Sequence, residues 1–189
     1  MAVKTFTQAE QLTAADTNTY LANAGLVHIK TATVTNAADS GTSFRSIFDG
    51  TSNAYRIVCH TLTASTNGAL PRMLFYYSTS IEQATTYYSA VTNSIYNGTS
   101  NLTSVNNGAF IGLGAATDNI GSSSFSIDIY QVGSSGRGAV VIQYNDAYNG
   151  SWASGGGLVA TTRTYDGVKF FMSAGNISMT ASVYGYRKA

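Results

Sequence analysis

Apolar and polar residues alternate with a period of two along most of this chain, the pattern of strands with one buried face. In "SFSIDIYQV", residues 124–132, the apolar residues Phe125, Ile127 and Ile129 share one face. The segment "NISMTASVYGYRK", residues 176–188, repeats the same alternation. Further strands are predicted at 26–35, 43–48, 54–63, 73–78, 86–96, 109–114, 139–145, 158–163 and 168–172.

The segments between these strands are rich in Gly, Asn, Ser and Asp, the residues that favour turns. Examples are "YNGTSN" at 96–101, "VNNG" at 105–108 and "YNGSWASGGG" at 148–157. Strands joined by such turns, with no helices between them, are typical of antiparallel folds. The predicted fold is therefore all-β, an antiparallel jelly-roll-like β-sandwich.

One segment near the start has the pattern of a helix instead. In "QLTAADTNTYLANAG", residues 11–25, Thr13 is placed to cap a helix and Asp16 follows it three residues later. Gly25 stands where a C-terminal cap belongs. About three turns of helix with Asn and Thr in the middle are marginal alone. We therefore expect one short N-terminal helix that depends on packing against another surface.

This helix and the residues before it are interpreted as a docking arm. Residues 1–25 form the predicted arm and helix, and residues 26–189 form the predicted β-sandwich domain. Leu12, Tyr20 and Leu21 are the candidate docking contacts, because a helix that is marginal alone must pack the side that carries Tyr20 and Leu21 against another surface. We expect the arm to fold fully only against the sandwich or a neighbouring subunit.

The composition restricts the classes of partner. The chain has 189 residues, of which 10% are charged, against about 25% in typical soluble domains. With 10 Lys and Arg against 9 Asp and Glu, the net charge is +1, so no basic excess favours nucleic acid. A polar but uncharged surface suits a protein held in an assembly.

The chain is also expected to fold in a cytoplasm, without a membrane partner. Its first residues, "MAVKTFTQAEQ", lack the apolar core of a signal peptide, and no apolar run approaches the roughly 20 residues that span a bilayer. The single cysteine cannot form an internal disulfide.

The residues give little basis for catalysis. Cys59 and His60 are adjacent, but neighbours on a strand point to opposite faces, so a thiolate–imidazole pair is not expected. We expect Cys59 to behave as a small buried hydrophobe. His28 and His60 lack any metal-ligand spacing. The prediction is a non-enzymatic protein with no catalytic, metal-binding or cofactor-binding residues.

The single tryptophan marks one candidate contact surface. Trp152 lies in a predicted loop, residues 144–157, together with Tyr144 and Tyr148. Exposed aromatic rings among Asn and Ser side chains can stack on a sugar and hydrogen-bond its hydroxyls. Alternatively, Trp152 packs as the anchor of the loop or into a subunit interface, where tryptophan is enriched. Both interpretations remain open from the sequence.

The two ends of the chain resemble small virion proteins of tailed bacteriophages. The opening "FTQAEQLTAADTNTYLANAGLVHIKTATV", residues 6–34, resembles their leader of the form "LTAAxxNTYLANxGLV". The close "YDGVKFFMSAGNISMTASVYGYRK", residues 165–188, contains the "VYGYR" of their last strand, and "IFDGTSNAYRIV", residues 47–58, is similar to an aromatic-rich inner strand. The middle of the chain carries no such motif.

This resemblance implies a jelly-roll-like sandwich on the virion, commonly a homotrimer, and it carries over no catalytic residues. The implied role is a head decoration (cement) protein that contacts the major capsid protein or other virion proteins after assembly in the host cytoplasm. The alternative is a tail-fibre, spike or adaptor component that binds a receptor, with a host glycan as candidate partner. The absence of a long shaft or heptad repeat favours decoration.

Overall fold

A computed structural model describes most of the chain from residue 25 onward. The described residues are 25–38, 43–48, 50, 52–78, 80–81, 86–96, 98, 100–115, 117, 119, 123–132, 137–147 and 150–187. The predicted docking contacts Leu12, Tyr20 and Leu21, and the predicted helix up to residue 24, lie outside them. Among the described residues, no helix has the length and apolar character needed to cross a bilayer.

The described residues form an all-β fold, as the alternation predicts. The strands are β1 (Leu26–Ala37), β2 (Ser43–Phe44), β3 (Ser52–Ala64), β4 (Pro71–Tyr77), β5 (Ser80–Ile81), β6 (Tyr87–Ile95), β7 (Ser100–Gly108), β8 (Ile111–Gly112), β9 (Ser123–Tyr130), β10 (Ala139–Asp146), β11 (Ser151–Val159), β12 (Gly167–Met172) and β13 (Ile177–Arg187).

These strands form two sheets in which every pairing of strands is antiparallel. The larger sheet has eight strands in the order β1-β13-β3-β9-β10-β11-β6-β7. The smaller sheet has the order β2-β12-β4-β5, with β8 also paired to β4. The chain crosses between the sheets repeatedly, so each sheet contains strands from both ends of the sequence.

The two sheets pack face to face through aromatic rings. Phe125 of the larger sheet and Phe170 of the smaller one have ring centroids 5.2 Å apart. Phe75 of β4 lies 5.0 Å from Tyr165, again between ring centroids. Aromatic side chains bury large areas and pack best in tilted or edge-on pairs such as these. The apolar core therefore lies between the sheets, and the opposite face of the larger sheet points outward.

The phenol hydroxyls of the core tyrosines have hydrogen-bond partners, as buried polar groups require. The Tyr87 hydroxyl on the larger sheet accepts a hydrogen bond of 2.9 Å from the backbone N–H of Phe75 on the smaller sheet. The Tyr165 hydroxyl donates to the carbonyl of Thr161 at 2.7 Å. The Tyr87–Phe75 bond joins the two sheets directly, whereas the Tyr165–Thr161 bond is local to the segment between β11 and β12.

The strand alternation is confirmed in the segments on which the prediction rested. In β9, Phe125, Ile127 and Ile129 are buried while the residues between them are partly exposed. In β13, Met179, Ala181 and Val183 are buried and Ser178 and Thr180 are partly exposed, although Ser182 is buried as well.

Two predictions about turns and loops were wrong. The segment 105–108, predicted as a turn, belongs to β7, and most of the predicted loop 144–157 belongs to the hairpin of β10 and β11. The predicted turn at 96–101 falls largely between the end of β6 at Ile95 and the start of β7 at Ser100. Asn, Ser and Gly favour turns locally, but pairing with a neighbouring strand overrides that preference. Glycine occupies position 155 of β11 for a steric reason, because a Cβ there would overlap the carbonyl oxygen of Ala90 on β6.

Candidate functional site

The outward face of the larger sheet carries a block of polar side chains at its centre. The register of β9, β10 and β11 aligns Ser124, Asn145 and Trp152 in one row across the sheet. In the next row Gln143 lies between Ser126 on β9 and Ser154 on β11. Because side chains alternate between the two faces of a strand, these residues all point away from the core.

These side chains border a shallow depression of about 480 Å³, which we call the Trp152 groove. Its outward-facing lining comes from four adjacent strands, β3, β9, β10 and β11. The lining residues of this group are Val58, His60, Ser124, Ser126, Gln143, Asn145 and Trp152. None of the described residues that line the groove is Asp, Glu, Lys or Arg.

Trp152 and Tyr144 lie on opposite faces of the sheet, although the sequence predicted both as candidate contacts for a ligand or a partner. The Trp152 side chain is 48% exposed at the edge of the groove. Tyr144 is buried, and its hydroxyl shares a 2.7 Å hydrogen bond with Thr117 Oγ1. Burial raises the pKa of the Tyr144 phenol. Tyr148 lies outside the described residues. The structure therefore leaves Trp152 exposed and assigns Tyr144 to the core.

Cys59 and His60 also diverge, as their positions on a strand predict. Cys59 is buried, and its thiol donates to the carbonyl of Thr61 at 3.2 Å. Burial raises the pKa of this thiol to about 12, which makes it a poor nucleophile near neutral pH. His60 is exposed, and its Nε2 lies 3.5 Å from the Ser182 hydroxyl on β13. The imidazole thus belongs to the outward face and the thiol to the core.

An ion pair lies on the outward face beside the groove. The Arg56 guanidinium donates two hydrogen bonds to the Asp128 carboxylate, at 2.7 and 2.6 Å. Hydrogen bonding to this carboxylate raises the pKa of Arg56. The Tyr186 hydroxyl donates to the same carboxylate at 3.1 Å. Since the two charges neutralise each other in a bidentate pair, they add little net charge to this face of the sheet.

The smaller sheet and the segments beside it carry several cations stacked on aromatic rings. The Arg72 guanidinium carbon lies 3.9 Å from the centroid of the Phe110 ring. Arg163 is placed in the same way over Tyr77, at 4.0 Å. Such stacking stabilises the cation through the negative face of the ring. These cations are engaged in packing, and they do not border the Trp152 groove.

Within the ranges given above, no cluster of three or more His, Cys, Asp or Glu side chains is placed to hold a metal ion. The groove itself was not predicted as a unit. The sequence predicted a strand at 139–145, without assigning Gln143 or Asn145 to one of its faces. Their meeting with His60 and Trp152 depends on which strands are neighbours, and a single sequence does not give that order.

Comparison of the chain with models of protein families, with curated proteins and with solved structures found no match in any of the three.

Proposed function

We propose that this chain is a non-enzymatic structural protein of a tailed-phage virion, which decorates the head shell and stabilises it through contacts with the major capsid protein and with copies of itself. The resemblance of the two chain ends to phage virion proteins supports the choice of virion. The observation that carries the assembly role is the edge of the larger sheet at β7, which the described residues leave unpaired.

Strand β7 has the properties that monomeric proteins usually avoid at a sheet edge. Its nine residues, "SNLTSVNNG", contain neither a charged residue nor a proline. Leu102, near its middle, is 69% exposed. In the described part of the chain β7 pairs only with β6. Sheet edges are normally protected by Lys, Pro, a β-bulge or a covering segment, because unpaired backbone groups attract another strand. The register shift of β7 lies at its C-terminal end, between Val105 and Gly108, and residues 100–105 pair with β6 in regular register. An edge that the described residues leave unpaired in this way favours pairing with a neighbouring chain.

The expected homotrimer restricts how this edge is used. A three-fold assembly needs a heterologous contact, in which two different surfaces meet. Strand β1 ends the same sheet on the other side and is twelve residues long. A contact of β7 on one protomer with β1 on the next satisfies the three-fold symmetry, whereas β7 against β7 gives a two-fold dimer.

The composition of the chain also suits a broad contact with a shell, because only 10% of its residues are charged. Many weak contacts over an uncharged polar surface stabilise a shell collectively. We include the jelly-roll-like topology in this proposal, and the repeated crossing of the chain between the two sheets supports it.

The position of the protein in an electron-microscopy map of the virion tests the proposal directly. We expect density for the protein over the capsomer junctions of the head. Particles assembled without it should lose their DNA at a lower temperature, or after a milder osmotic shock, than complete particles. Particles complemented with the intact chain are the control, and they should regain the original resistance.

The competing role is a tail-fibre, spike or adaptor component. Density at the tail, with unchanged head stability and a loss of adsorption to cells, would replace the decoration role with this one. The two roles therefore predict opposite outcomes for the same pair of measurements.

A further inference from the structure

We propose that the Trp152 groove on the outward face of the larger sheet is a binding site for a neutral carbohydrate. The side chains that we assign to the ligand are Trp152, Asn145, Gln143, Ser126 and His60. This inference goes beyond the decoration role, because sugar binding by the groove does not depend on where the protein is located on a particle.

The dimensions of the groove suit a short oligosaccharide. Its lining crosses β3, β9, β10 and β11, which are consecutive neighbours in the sheet. Strands lie about 4.8 Å apart, so the three steps from β3 to β11 cover roughly 14 Å. His60 and Trp152 stand at the two ends of this span, and the amide side chains lie between them. Its volume, about 480 Å³, is within the usual range for sites that take small molecules.

The chemistry of the lining matches both surfaces of a sugar ring. A pyranose has an apolar face of C–H groups, and the half-exposed indole of Trp152 offers a flat apolar surface for it. A pyranose also has a rim of hydroxyls that donate and accept hydrogen bonds. Gln143 and Asn145 are exposed on β10 and present both amide donors and carbonyl acceptors. The Ser126 hydroxyl adds a further donor and acceptor on β9.

The charge of the site selects the class of carbohydrate. The described lining carries no Lys or Arg to bind a carboxylate or sulfate, and the nearby Arg56 is occupied by Asp128 in a bidentate pair. A sialylated or uronic-acid sugar would therefore find no fixed cation in the groove. Neutral hexoses and N-acetylhexosamines need only stacking and uncharged hydrogen bonds, which the lining supplies.

The single tryptophan makes the test direct, because Trp152 is the only indole in the chain. The intact chain is first screened on a glycan array. Its fluorescence is then titrated with the neutral glycan bound on the array and with cellobiose, lactose and N,N′-diacetylchitobiose. We expect a saturable change in the indole emission, protection of the indole from acrylamide quenching, and weaker binding of sialyl-lactose than of lactose.

Substitutions assign the binding to the groove. Trp152→Ala should weaken binding by about tenfold or more, the usual scale for removing an aromatic anchor, and Trp152→Phe should retain part of it. Tyr130→Ala is the matched control, because Tyr130 is an exposed aromatic residue on the same face, four residues beyond Ser126 on β9. Binding by these variants is measured by calorimetry, with melting curves to show that the fold is kept.

The possible results distinguish a sugar-binding groove from other roles of Trp152. If Trp152→Ala lowers the stability of the protein, Gln143→Ala and Asn145→Ala give the same test at exposed positions, and each should weaken binding. Binding that survives all three substitutions, or no binding of any neutral glycan by the intact chain, overturns the assignment. Capture of a protein partner through Trp152 without glycan binding overturns it as well. None of these outcomes alters the electron-microscopy test of the decoration role.

Discussion

At the scale of single residues, Trp152 and Tyr144 show how one position along a strand decides a role. Both are aromatic and both belong to the β10–β11 hairpin, where Tyr144 is paired with Ala153, the residue next to Trp152. The alternation of the strand directs Tyr144 into the core, where its hydroxyl bonds to Thr117. The same alternation directs Trp152 outward. Of these two residues, only Trp152 can therefore contact a ligand or partner on the outward face.

The buried thiol of Cys59 gives a prediction about reactivity and pH. Burial raises the pKa of Cys59 to about 12 from its ordinary value of 9.0. The native protein should therefore react very slowly with a thiol reagent at pH 8, and the urea-unfolded chain should react with one equivalent. A native protein that reacts as fast as the unfolded chain would contradict the burial of Cys59.

The same shift has a consequence for stability, and its sign follows from proton binding. Between pH 9 and about 12 the native thiol keeps its proton while the unfolded thiol loses it. The unfolded state then binds fewer protons, so the contribution of Cys59 to stability is complete below pH 9 and declines as the pH rises toward 12. Because Tyr and Lys titrate in this range too, the measurement is the difference in unfolding free energy between the parent and Cys59→Ala.

At the scale of elements, the glycine run of β11 is explained by close strand packing. A Cβ at Gly155 would overlap the Ala90 carbonyl oxygen and lie 2.7 Å from the Cα of Val91. We expect Gly155→Ala to destabilise the fold by about 1–3 kcal/mol, because backbone atoms of β6 would have to move. Urea unfolding measures the change.

Gly112 provides the matched control for this prediction. A Cβ at Gly112 would meet only the Ser89 hydroxyl, at an ordinary contact distance of 3.8 Å. Gly112→Ala should therefore leave the urea midpoint close to that of the parent. Equal losses of stability from Gly155→Ala and Gly112→Ala would show that close packing against β6 is not the reason for glycine in β11.

The edge strand β7 gives a second prediction at this scale. Leu102→Lys places a charge on an edge strand that has none, and lysine on an edge strand is one of the means by which natural sheets prevent pairing with another chain. If β7 joins subunits, the mass from light scattering should fall from that of an oligomer toward that of one chain. Val141→Lys makes the same kind of change on the exposed centre of the sheet, away from both edges, and should leave the mass unchanged.

The size of the parent oligomer also distinguishes the possible contacts. Three chains favour pairing of β7 with β1, and two chains favour pairing of β7 with itself. A parent chain that runs as a monomer at all concentrations would remove β7 as a self-association surface.

At the scale of the whole molecule, the two sheets form one shared core within residues 25–187. Deletion of residues 1–24 should therefore leave a cooperative unfolding transition. It should reduce trimer formation or attachment to the virion, because these residues carry the predicted docking arm. Circular dichroism melting and light scattering on the two forms measure both effects. Loss of the whole transition on deletion would mean that the segment is part of the core.

The sequence alone determined that the fold is all-β and antiparallel, because strand alternation and turn chemistry are local properties of a chain. The burial of Phe125, Ile127 and Ile129, and the divergence of Cys59 from His60, follow from a period of two within single strands. The same local rules failed at β7 and β11, where pairing between strands outweighs the turn preference of Asn, Ser and Gly. The resemblance of the chain ends to phage proteins added the proposed role.

Only the tertiary structure decided which outward residues become neighbours. Strand order and register bring His60, Gln143 and Asn145 beside Trp152 across four strands and make β7 the last strand of the larger sheet within the described residues. Both features depend on contacts between distant parts of the chain, where backbone hydrogen bonds and the shared apolar core select one pairing among many. The surface proposed to bind sugar and the edge proposed to bind a neighbouring chain are for that reason products of the fold.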